Sequence, residues 1–70
     1  MTPAAVARMG AIEARIGSLL ADLGDTRTRL VLATTASVRA DLTRQIAALD
    51  AERAAGVAEL AVLLDEELAA

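Results

Sequence analysis

The chain contains no cysteine, histidine, phenylalanine, tyrosine or tryptophan, and lysine and asparagine are missing as well. Each absence removes a class of chemistry. Without cysteine there is neither a disulfide nor a thiolate metal site. There is no His, Cys, Lys or Tyr to act as base or nucleophile near neutral pH, and Ser18 and Ser37 have no partner of the right kind to activate them. The sequence therefore predicts a protein that is not an enzyme, with no catalytic residue, no cofactor and no metal site. The run Asp65-Glu66-Glu67 offers oxygens that suit calcium or magnesium. Adjacent helical positions point in different directions, so the run reads as a solvated helix end rather than a chelate.

Long apolar runs are missing too. The longest uncharged stretch beyond the N-terminus, Leu30–Val38, is about half of what a membrane span needs. The first residues lack the apolar core and basic flank of a secretion signal. The expectation is a protein without a transmembrane segment, cytoplasmic or held within a soluble assembly. A net charge of −3 argues against nucleic acid and against anionic membrane surfaces.

Seventy residues make one small helical domain spanning 1–70. A core of this size is marginal without a disulfide, a metal or a partner subunit. The partner subunit is the only one of these that the composition leaves open. The expected partners are other copies of the chain or another helical protein.

What is present is helix periodicity. Thr2-Pro3 is a helix start, with a hydroxyl cap followed by a preorganised proline. With Met9 at position a of a heptad, a and d fall on Met9, Ile12, Ile16, Leu19, Leu23, Thr26, Leu30 and Ala33. The second half resumes with Ile46 and Leu60 at a and Leu42, Leu49 and Leu63 at d. Arg39, Arg53 and Glu67 fill the other a sites, and Gly56 a d site. Val57, Leu64 and Leu68 pull this seam sideways. From Val38 onward the spacing also fits an eleven-residue repeat, which leaves a helix nearly straight. Arg53 fits neither pattern; its stem is expected to pack on the seam while its head reaches Asp22 or Asp50.

Between the halves lies Thr34-Thr35-Ala36-Ser37, whose hydroxyls disfavour helix and favour caps. The sequence predicts a helix over about 3–33, a turn over 34–37 and a helix over about 38–68. Gly24-Asp25 is a competing break, with Thr26 as an alternative cap, but the a/d seam runs through it.

The predicted fold is all-α, an antiparallel coiled-coil-like hairpin that oligomerises into a helical bundle. A single long helix in an antiparallel dimer satisfies the same pairing. Folding about Ala36 makes layers of Met9 with Leu63, Ile12 with Leu60, Ile16 with Gly56, Leu19 with Arg53 and Leu23 with Leu49. Thr26 with Ile46, Leu30 with Leu42 and Ala33 with Arg39 complete the seam. The flanks then bring Arg8 to Glu66, Arg15 to Glu59, Arg27 to Asp50 and Leu20 to Val57; Asp22 beside Glu52 is the one misfit. Arg27 and Arg29 read as paired or solvated rather than as phosphate ligands.

The remaining signal is a stripe of small residues at the outer b and f positions: Ala7, Gly10, Ala14, Gly17, Ala21 and Gly24, continued by Ala47, Ala51, Ala54, Ala58 and Ala61. Small side chains let helices approach closely. GC-rich codon usage explains many alanines, but not glycines spaced by seven. This stripe is the predicted oligomer interface. The predicted function is structural self-assembly, as a homo-oligomer or a scaffold or particle component. An adaptor or regulator that offers its apolar faces to another protein is the alternative. A binder of lipid or granule surfaces is the weakest reading, given the acidic charge and the absence of Lys, Trp and Phe.

Overall fold

The computed structural model describes residues 1–69 and contains two helices, α1 (Pro3–Leu32) and α2 (Ala36–Ala69), packed against each other as an antiparallel hairpin. The hairpin is 53 Å long and 15 by 12 Å in section. The chain thus closes its own seam, and the unbroken long helix is not adopted.

Thr2 starts α1 as its chemistry dictates. Its Oγ1 accepts from the Ala5 N–H at 3.1 Å, its carbonyl accepts from Val6, and Pro3 takes the first turn. No break occurs at Gly24-Asp25. Thr26 caps no new helix there; its hydroxyl donates back to the Asp22 carbonyl at 2.7 Å, and Thr28 does the same to Gly24. Breaking the helix here would expose Leu23, the most deeply buried side chain at 1% exposure.

The turn is shorter and earlier than the hydroxyl run suggests. It occupies 33–35, and Ala36 and Ser37, expected in the turn, form the first residues of α2. Ala33 leaves the helix at ψ 135°, and the Thr35 carbonyl accepts the first α2 bond from Arg39. Thr35 thus stands at the N-cap, a position that favours threonine. Arg39 explains itself here. Its Nη1 donates to the carbonyls of Leu30 and Ala33, both at 3.1 Å. A cation on the C-terminal carbonyls of α1, where Leu30 also accepts from the Ala33 N–H, answers its macrodipole and ties the two helix ends together.

The core is the heptad seam. Ala5, Met9, Ile12, Leu19, Leu23 and Thr26 of α1 are buried, with Ile16, Leu30 and Ala33 half-buried. On α2, Leu42, Gly56 and Leu63 are buried, and Ile46, Leu49, Arg53, Leu60 and Glu67 are half-buried. Met9, Ile12 and Leu63 form one cluster with Ile16 and Leu60 against it. The eleven-residue spacing on α2 is not used: Val38, Val57, Leu64 and Leu68 are exposed. The physical reason is the partner. α1 holds a strict seven-residue seam, and a helix packed along it keeps facing it only with the same period.

One layer pins the register. A Cβ placed on Gly56 would lie 3.1 Å from Cγ1 of Ile16 and 3.6 Å from its Cδ1. Ile16 therefore seats against bare α2 backbone, a large residue on the smallest one. Gly56→Leu is predicted to destabilise the hairpin by about 1–3 kcal/mol, because the extra volume has no cavity to enter. Ala55→Leu, at the exposed neighbouring position, is predicted to stay within ~0.5 kcal/mol of the parent. Urea denaturation at fixed protein concentration checks both; equal effects would remove Gly56 from its place as register pin.

Candidate interaction surface

Two helices side by side have two broad faces, and the register decides what each carries. On one, Arg15 Nη2 donates to Glu59 Oε2 at 2.8 Å. Both residues occupy heptad position g, so this is the g face of both helices, with position c beside it. It also carries Arg8, Asp22, Arg29, Glu52 and Glu66 at g, and Asp25 and Asp41 at c. An open groove lined by Arg8, Ala11, Ile12, Arg15 and Glu59 runs along it. A second groove, lined by Asp22, Asp25, Thr26, Arg29, Gln45 and Leu49, continues it toward the turn.

The opposite broad face belongs to positions e and b. Its charges are Glu13, Arg27 and Asp50 alone. Val6, Leu20, Val57 and Leu64 stand on it at e, and Val31 and Leu68 at b, all between 40% and 84% exposed. These are six of the ten large apolar side chains the hairpin leaves in solvent; Met1, Leu32, Val38 and Val62 are the others. The contrast between a charged g/c face and an apolar e/b face is the main surface feature of the molecule. Position-by-position reading of the sequence treats the e residues as a coiled-coil flank and passes over this asymmetry. The signal that finds it is the comparison of e with g across both helices once the register is known.

The small-residue stripe divides between this face and the rim. Gly10, Gly17, Gly24, Ala47, Ala54 and Ala61, at b, border the apolar residues; Ala7, Ala14, Ala21, Ala51 and Ala58, at f, point away from the seam. All eleven are exposed. A Cβ added at Gly10, Gly17 or Gly24 meets nothing within 4 Å, so nothing in the hairpin itself calls for glycine there.

The remaining charges organise themselves within the helices. Arg53, in the Leu19 layer, donates from Nε and Nη2 to Asp50 Oδ1 at 3.1 and 3.0 Å, and its side chain is one-third exposed. The apolar stem lies over the seam and the head returns to its own helix, to Asp50 rather than Asp22. Asp50 is thereby engaged, and Arg27 makes no salt bridge with it among the described residues; nor does Arg8 with Glu66. Arg44 pairs with Asp41 one turn earlier. No group of three or more potential metal ligands comes together among the described residues, and none of their helices is long and apolar enough to cross a membrane.

The Arg15–Glu59 pair is about half exposed on both sides. Solvent screening limits it to about 0.2–1 kcal/mol. Glu59→Gln is predicted to lower hairpin stability by that amount at low salt, and by less as salt is added. Thermal melts over a salt series check this, and a loss of more than ~2 kcal/mol would show a stronger role than an exposed pair allows.

No family model, no curated protein and no solved structure matches this chain.

Proposed function

We propose that the chain is a structural, self-assembling protein without catalytic activity, whose hairpins associate through their outer faces into a four-helix bundle or a larger repeating array. One observation carries this reading. Among the described residues the hairpin buries seven apolar side chains with Thr26 and Gly56, while ten large apolar side chains remain in solvent, six of them on one face. A monomer of this size gains too little from such a core to stand comfortably alone, and a second layer of helices is the usual remedy. A face that gathers most of a small protein's exposed large apolar side chains is a place where another molecule can sit. The residue types point the same way: with no His, Cys, Lys or Tyr, Ser18 and Ser37 have no neighbouring His or Lys to activate them. A part in a scaffold or particle fits a protein that offers surfaces rather than a site.

Light scattering coupled to size exclusion tests the reading. At micromolar concentration the chain is predicted to run as a dimer or larger species, with helicity above 80% of residues by circular dichroism, as two helices of 30 and 34 residues require. A stable, folded monomer would overturn it. A poorly folded chain that orders only on adding a different protein would favour the adaptor reading instead. Gly17→Leu, which adds bulk where the hairpin has open space, is predicted to lower the assembled mass while leaving helicity intact.

A further inference from the structure

Self-association does not by itself say which face is used or how two copies are oriented. The broad e/b face carries both answers. Position e of α1 reads Val6, Glu13, Leu20, Arg27. Glu13 and Arg27 lie one heptad on either side of Leu20, with opposite charges. They stand about 21 Å apart along α1, at 1.5 Å per residue, too far to pair with each other. Neither makes a salt bridge among the described residues.

Such a pattern is self-complementary under one operation. If a second copy lies on this face with its helices reversed, and the two-fold axis passes at Leu20, then Glu13 of each protomer meets Arg27 of the other. The symmetry makes this contact twice. Leu20 meets its own copy at the centre, level with Val57 of the adjoining helix. Position b of α1 has glycine at 10, 17 and 24, so the backbones can close on the central leucine.

We propose, on the reading that the chain self-assembles, that its partner on the e/b face is a second copy docked antiparallel about Leu20, with reciprocal Glu13–Arg27 pairs setting the register. The resulting four-helix bundle has Val6, Leu20, Val57 and Leu64 in its second core layer. The hairpin's outline leaves room for such a contact. The outline of this face, 53 by 15 Å, spans about 800 Å², of the same order as the share each protein contributes to a standard stable interface. The g/c face, with Arg15–Glu59 and most of the other charges, stays in solvent, which stops the dimer from growing through that side.

The test is a charge-swap cycle read by sedimentation equilibrium, with circular dichroism confirming each variant's helicity. Glu13→Arg and Arg27→Glu each place like charges together twice, and each is predicted to raise the dimer dissociation constant by roughly tenfold or more. The double variant restores opposite charges across the axis and is predicted to recover the parent value within about threefold. Because the two positions cannot meet within one helix, recovery in the double variant reports a contact between copies. An assembled parent whose two single variants associate unchanged, or whose double variant associates no better than the weaker single, overturns the docking while leaving self-assembly in place. A monomeric parent overturns both. Should a charge variant lose its helicity, Leu20→Cys in this cysteine-free chain decides. A disulfide-linked dimer on mild oxidation, absent for Asp22→Cys on the opposite face, supports the docking; equal or no cross-linking at both positions overturns it.

Discussion

Everything in this molecule depends on the seven-residue seam along α1. From Ala5 to Ala33 the buried and half-buried positions follow a and d without a slip. A helix of this kind presents one continuous apolar edge, and the second half of the chain supplies the matching edge by folding back on it. The seam imposes its period on α2, whose own large apolar residues are ambiguous between two repeats. It holds α1 helical through Gly24, where local propensity alone would permit a break. It also places Arg39 against the carbonyls of Leu30 and Ala33 at the end of α1.

The register that follows is polar on one side and apolar on the other. An antiparallel pair brings g beside g and e beside e, so each broad face is built from one kind of flanking position on both helices. Here g holds Arg8, Arg15 and Arg29 with Asp22 on α1 and mostly acids on α2, and the Arg15–Glu59 contact shows the match. Position e holds Val6, Leu20, Val57 and Leu64 around Glu13, Arg27 and an Asp50 engaged by Arg53. The same fold that closes the core therefore sorts the surface into a side suited to water and a side suited to another protein. Exposed pairs contribute little to stability; their value lies in telling one alignment from its neighbours.

Much of the fold was legible because strong periodicity overrides weak local signals. The seam residues and the Arg15–Glu59 contact follow from spacing; the Thr2-Pro3 start follows from capping chemistry, and the hairpin from the hydroxyl run at 34–37, since spacing fits a long-helix dimer equally well. The turn was legible only to within a few residues. Hydroxyl residues serve equally as helix stops and as caps, and the extended backbone of Ala33 with the Arg39 N–H bond to the Thr35 carbonyl shows that α1 ends before the run and Thr35 caps α2. The repeat of α2 was not legible on its own, because Val57, Leu64 and Leu68 compete with Gly56 and Arg53 for the seam, and the competition is decided by α1. The apolar face was missed for a related reason: it is assembled from positions on both helices and exists only once they are paired. The glycine spacing was visible from the start, but the hairpin leaves Gly10, Gly17 and Gly24 open to solvent, so their meaning lies outside the single chain.

The claim beneath all of this is that one chain closes its own seam, leaving its broad faces for others. The most direct measurement is the distance between spin labels at Arg8→Cys and Glu66→Cys in the same chain, diluted into unlabelled protein so that contacts between copies do not contribute. The hairpin predicts a separation within about 20 Å, two helix diameters. An unbroken helix paired with a second chain would place the same labels about 87 Å apart along its axis, at 1.5 Å per residue, and would contradict the account.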